Sequence, residues 1–312
     1  MPSSITHYLF AKTLVNQHIT HKDIFFLGSQ GPDVFFFYGY HPFIKKNRRL
    51  ISGFGTELHD IDLTKAYAFI RNYAEEYPNH RDLILSYLKG LFSHYVLDRR
   101  THPYIFYSTL FDSHENKPKE YARMHALFET YVDVLYREKY SYINSTFAMI
   151  KCNKEDIKVL SKMYYHLAKE LFPFFPLEEN SFYKAYKSMA FALKVLYSKK
   201  GFKKSFFDSF MKKSLINAMS HPRKLPEEVL KLDLLNNNKT YWKNPVTGDR
   251  FNSSFEELNE LARRDFETVI LAMDNKDFEA FLSSFVVDTD HRGCPINGRM
   301  TFKRNIFRNL NL

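Results

Sequence analysis

The run RDLILSYLKGLFSHYVLDRR, within residues 80–100, constrains the fold more than any other stretch, because its apolar residues recur with the period of a helix. A strand would need alternation, and a buried loop would leave its backbone polar groups unpaired. The same period continues over 6–16, 62–77, about 118–138, 154–172, 180–199 and 276–285. Ser3 and Ser4 are candidate caps for the first helix, and Ser253 or Ser254 for one running to about 273, where Glu256 and Glu257 suit the positive end. The long helix should end near Thr101-His102-Pro103, since the residue before proline is pushed out of helical geometry. Breakers are scarce, at 10 glycines and 12 prolines in 312 residues, which favours long helices over many short strands. The expectation is an all-α, multi-helix single domain spanning 1–312. Its helical remainder, 141–312, is interrupted by an irregular stretch at about 217–253, where Tyr241, Trp242 and Phe251 read as packed residues.

Two cysteines, Cys152 and Cys294, exclude both a cysteine-based zinc finger and a disulfide framework. Any bound metal must therefore be held by histidine and carboxylate. The net charge of +10, carried mostly by lysine, implies attraction to phosphate in some form. No cationic start precedes an apolar run at the N-terminus, and no apolar run reaches the roughly 18–20 residues that span a bilayer. The expected location is cytoplasmic, with no transmembrane segment.

The chemistry concentrates between His7 and Glu129. His94, Asp98 and His102 are spaced four apart, a step that rotates only about 40° around a helix, so His94 and Asp98 share a face and can reach one ion. His102, beside Pro103, falls at the expected helix end and can turn toward another ion. His125 and Glu129 form a second pair, with Asp133 one turn on. Thirteen histidines and 35 acids give roughly 1.5 His-x-x-x-acid pairs by chance, and three occur, the third being His166/Glu170. A single pair thus says little. The compound His-x-x-x-Asp-x-x-x-His has a chance expectation of roughly 0.06 and does carry information. His7, Asp33 in a Gly-Pro-Asp turn, and His59 complete the candidates. The plain alternatives are a packed core histidine for His7, an Asx turn for Asp33, loop chemistry for His59 and surface ion pairs for the helical sets. His166/Glu170 is read as structural, and nothing selects His41, His114 or His221.

In order, THYLFA (His7), GPD (Asp33), LHD (His59), SHYVLDRRTHP (His94, Asp98, His102) and HALFE (His125, Glu129) resemble the zinc-dependent phospholipase C family and its relatives, the single-strand-specific zinc nucleases. The resemblance covers roughly residues 5–135 and implies a metal-binding core at about 1–140 in an all-α fold. It implies two to three zinc ions, with His59, His94 and Asp98 on one, His102, His125 and Glu129 on a second, and His7 with the shared Asp98 on a third. It gives Asp33 the role of ligand or general base. Secreted members of that family use an N-terminal tryptophan for the third metal, whereas Trp242 is the only tryptophan here. The implied activity is hydrolysis of a phosphodiester, such as a phospholipid, by metal-activated water.

Three other readings stay open. One is a single-strand nuclease on the same scaffold, and another an HD-type phosphohydrolase using His59-Asp60. The third is a non-catalytic, metal-stabilised helical protein that binds membranes or partners. Segment 182–213 interleaves nine lysines with phenylalanines and tyrosines, and Asp208 is its only acid. It reads as solvated lysines over buried aromatics, or alternatively as a surface for peripheral membrane or nucleic-acid contact.

Overall fold

The computed structural model describes residues 4–16, 18–60, 63–110, 118–140, 143, 145–198, 200–211, 214–286, 291–295, 298–308 and 310. Among them the chain is all-α except for one two-stranded hairpin. The first six helices are α1 (Ser4–Leu14), α2 (Lys22–Gly28), α3 (Arg48–Asp60), α4 (Leu63–Glu76), α5 (Arg81–Thr109) and α6 (Pro118–Lys139). After them come α7 (Lys154–Leu171), α8 (Ser181–Leu196), α9 (Phe202–Phe210), α10 (Leu215–Ala218) and α11 (Glu227–Leu230). The strands β1 (Trp242–Lys243) and β2 (Arg250–Phe251) pair antiparallel before α12 (Phe255–Ala272) and α13 (Phe278–Phe285).

The axis of the molecule is α5, which packs against α1, α2, α4, α6 and α12. Helices surround it, so most of its length is buried and its apolar residues occur all round rather than in one stripe. One continuous apolar cluster runs from Ile5 to Phe307. Within it Phe35 meets Phe54 and Tyr164 edge-on at 5.0 Å each, the arrangement ring quadrupoles favour.

Helix α5 does not stop at Pro103, as the sequence implies, but continues to Thr109. Proline removes one intrahelical hydrogen bond and crowds the carbonyl four residues back, here that of Arg99. The turn survives because Tyr104, Ile105, Phe106 and Thr109 are all buried beyond it, and because other chain covers the defect. The C-terminal segment lies there: a Cβ on Gly293 would fall 1.8 Å from the Arg99 oxygen.

Helix α3 has no counterpart in the sequence reading, since Gly53 and Gly55 lower its helical propensity. Gly55 serves close packing, with the space for a Cβ limited by Phe35 and the Pro32 carbonyl at 3.0 and 3.3 Å. The irregular stretch contains α10, α11 and the hairpin. Of its three aromatics only Trp242 is buried, while Tyr241 is exposed under the Arg250 guanidinium and Phe251 lies on the outer face of Trp242. Of the two serines expected to cap α12 it is Ser254 that does so, and the cap is reciprocal: Ser254 accepts from the Glu257 amide, and the Glu257 carboxylate accepts from the Ser254 amide. Among the described residues no helix is long and apolar enough to cross a membrane.

Candidate metal centre

Glycines set the approach of the elements that build the site. Helices α2 and α5 cross at Gly28 and Gly90, where a Cβ on either would lie 2.4 Å from a backbone oxygen of the other helix. The chain then turns at Gly31 (φ +60°), whose missing Cβ leaves room for the His94 ring, 2.2 Å from where that atom would sit. Pro32 opens a 3-10 turn over Gly31–Phe37, and this turn delivers Asp33 beside His59 at the end of α3.

Helix α1 is held at its N-terminus by α6. Asp133 accepts hydrogen bonds from the Ile5 and Thr6 amides and the Thr6 hydroxyl, and His221 Nε2 lies 3.1 Å from it. Orphan amides at a helix start need such an acceptor. A buried carboxylate on another helix supplies it and thereby sets the position of His7, one residue further along; of the two serines expected as caps, Ser4 is the first residue of the helix and Ser3 lies outside the described residues.

Three histidines have their orientation fixed by backbone carbonyls. His59 Nδ1–H donates to Gly55 (2.7 Å), His94 Nδ1–H to Ser29 (3.2 Å) and His102 Nδ1–H to His291 (2.7 Å). A carbonyl can only accept, so each Nδ1 carries the hydrogen and each Nε2 is left for something else. Those Nε2 atoms face carboxylates: His59 to Asp33 at 3.1 Å, His94 to Asp98 at 3.1 Å and His102 to Glu129 at 3.5 Å. His7 Nε2 also faces Asp98, at 3.2 Å, and His125 Nε2 faces Glu129, at 3.0 Å. Phe36 stacks on His59 and Phe106 on His102, which fixes the ring planes as well.

Burial dominates the electrostatics and the pairs oppose it. Burial alone would raise the Asp98 and Glu129 pKa values. The imidazoles around each outweigh it and hold both well below the usual carboxylate range. Asp33 is lowered in the same way, against burial, by His59 and His94. For His102 burial disfavours the charged ring, but Asp98 and Glu129 prevail and push it up to about 9. His94 and His125 go the other way, because burial lowers them below the ordinary histidine value despite their carboxylate partners. Neutral His94, with its hydrogen on Nδ1, turns a lone pair toward an anion. A shared cation removes that conflict.

All eight residues expected from sequence lie in this region; seven of them fall, with His291, into three sets, and Asp33 belongs to none, pairing instead with His59. His102, His125 and Glu129 form one; His7, His94 and Asp98 form another; His59, His94 and His291 form the third. The middle set adds His94 to the His7–Asp98 pair read from sequence. In the third, His291 stands where Asp98 was expected. His102 is not at a helix end but inside α5, and a carbonyl rather than chain freedom aims it. His291 was missed because it sits alone in an irregular segment, with no spacing partner to mark it. Of the remaining histidines, His221 pairs with Asp133, His41 packs on Phe191 and His166 lies beside Tyr73. His114 and the N-terminal residues before Ser4 lie outside the described residues.

The donor set fits zinc. Zinc bonds of about 2.0–2.1 Å to nitrogen or oxygen place neighbouring tetrahedral ligands about 3.3 Å apart. The five nitrogen–oxygen separations given above run from 3.0 to 3.5 Å. A cavity of about 10 Å³ bounded by His7, Asp98 and Glu129 is the size of one water or ion. An open cleft of about 960 Å³ lies elsewhere, between Tyr104, Lys231, Tyr241 and Arg304, and none of the metal-set side chains lines it. No family model matches the chain, and neither a curated protein nor a solved structure matches it.

Proposed function

We propose that this chain is a zinc-dependent phosphodiester hydrolase of the phospholipase C type, holding two to three zinc ions. The observation that carries the reading is the neutral, carbonyl-locked His94 facing the Asp98 carboxylate, with Asp98 also within reach of His7 and His102. One carboxylate among three imidazoles is suited to bridge ions, and adjoining ions are what displacement at phosphorus uses. When bound, such ions polarise phosphate oxygens and make water a stronger nucleophile near neutral pH.

The protein's own groups do the rest. His7, His59, His94, His102, His125, Asp98 and Glu129 would hold the ions. Asp33, ionised and next to His59, would orient the attacking water through its carboxylate. Carbonyl bonds to His59, His94 and His102 keep those rings from rotating, so little reorganisation is needed at the moment of reaction.

A phospholipid is the substrate class best supported. Segment 182–213 divides at Gly201: α8 buries Phe182, Tyr186 and Met189, whereas α9 leaves Phe202, Phe206 and Phe210 exposed at 64%, 59% and 75%. These rings, four apart, make one apolar stripe on a lysine-rich helix whose only acid, Asp208, is taken up by Lys204. That is the composition of a helix lying in a lipid interface, and it supplies a peripheral membrane contact without a span.

The test is hydrolysis of a short-chain phospholipid and of single-stranded DNA side by side. Lipid cleavage abolished by chelator and restored by zinc is expected. Cleavage of DNA with none of lipid would move the reading to the nuclease, and metal binding with neither activity would leave a non-catalytic metalloprotein.

A further inference from the structure

We infer that His291 is a metal ligand delivered by the C-terminal segment, and that metal binding fastens this segment to the second half of α5. The inference rests on the metal centre of the proposed function and not on the phosphodiester chemistry.

The His291 ring is 1% exposed, and neither of its nitrogens has a hydrogen-bond partner among the described residues. A buried imidazole left unsatisfied at both nitrogens is costly, and packing alone would be served better by an apolar ring. Its centroid lies 4.6 Å from that of His59 and 5.4 Å from that of His94. One nitrogen from each of the three lies within 4.8 Å of the other two, near enough for the three rings to converge on one ion.

The backbone around His291 is built onto α5 at the places where that helix needs partners. The His291 carbonyl accepts from His102 Nδ1–H, so the same residue orients a ligand of the neighbouring set. Two residues on, Gly293 (φ +62°) comes against the Arg99 carbonyl, which has no amide partner at Pro103. The Arg304 amide then donates to Tyr107 and the Ile306 amide to Ser108, taking carbonyls at the C-terminal end of α5 that have no intrahelical partner. A ligand at His291 therefore ties metal occupancy to the seating of 291–295 and 298–306.

The test uses the full chain with zinc and with cobalt, comparing wild type, His291→Phe and His291→Cys. Phenylalanine keeps a flat ring without a donor atom; cysteine restores one. His291→Phe is expected to weaken binding of one metal equivalent about 100-fold, with helix content unchanged in chelator. In the cobalt form, His291→Cys should recover that equivalent and show a sulfur-to-cobalt charge-transfer band. In the wild type, zinc should slow hydrogen exchange at the Arg304 and Ile306 amides at least about tenfold, and His291→Phe should lose that protection.

Equal metal affinity in wild type and His291→Phe would overturn the inference. So would bound cobalt in His291→Cys without the sulfur band, which decides the matter even where the phenylalanine variant does not fold. Metal bound through His291 in a protein that cleaves no phosphodiester would leave this inference standing and remove the proposed function.

Discussion

Two buried clusters of histidine and carboxylate sit one turn apart on α6, and they are built on opposite principles. At Asp133 every contact is a donor meeting an acceptor: two amides, a hydroxyl and the His221 ring converge on one carboxylate. At Glu129 and across to Asp98, imidazole Nε2 atoms face the carboxylates, and the His94 and His102 rings are already bonded to backbone carbonyls through Nδ1. The first cluster is satisfied by the chain itself and fastens α1 to α6. The second gathers carboxylates and ring nitrogens that a cation could share. The same residue types thus fasten the chain to itself in one place and gather as a candidate ion site in the other.

The largest effect that sharpens this contrast is expected from Asp98→Asn. Losing the charge shared by three imidazoles should remove at least one zinc equivalent. The phosphodiesterase rate should fall about 10³- to 10⁴-fold, the several kcal/mol that bound metal supplies to such transition states. Glu170→Gln, in a His-x-x-x-acid pair read as structural, should leave both within about twofold. Metal analysis and steady-state rates on the two variants decide it, and equal small effects would erase the distinction.

Next in size is Asp133→Ala. It leaves the amides of Ile5 and Thr6 and the His221 ring without their acceptor, and should cost about 3–5 kcal/mol of stability in denaturant unfolding. Zinc at His102, His125 and Glu129 should be retained, because both of their helices stand without α1. Loss of that zinc, with stability unchanged, would mean that Asp133 belongs to the metal centre.

The smallest effect is in pH. Without metal, His102 keeps its proton up to about 9, held by Asp98 and Glu129 against burial. Zinc must displace that proton, so its apparent affinity should rise about tenfold per pH unit between roughly 7 and 9 and then level off. The sign for folding is the reverse. A raised histidine pKa stabilises the metal-free protein below about 6.5, and this stability fades as pH climbs through about 9. Zinc competition titrations and unfolding curves across that range test both signs; a flat zinc affinity would place His102 outside the ligand set.

The helical class and the principal candidates were legible in the residues because both depend on period. Apolar residues at helical spacing marked α5, and residues four apart placed His94 beside Asp98 and His125 beside Glu129 without any knowledge of the neighbours. Contacts between distant segments carry no such signature. Pro103 inside a helix, glycines within α3, the burial of Trp242 but not Tyr241, and Asp133 as the cap of α1 were each decided by what packs across from them. His291 is the clearest case. No local pattern distinguishes it from any other histidine, and only the docking of its segment on α5, where a proline leaves a carbonyl open, brings its ring to His59 and His94.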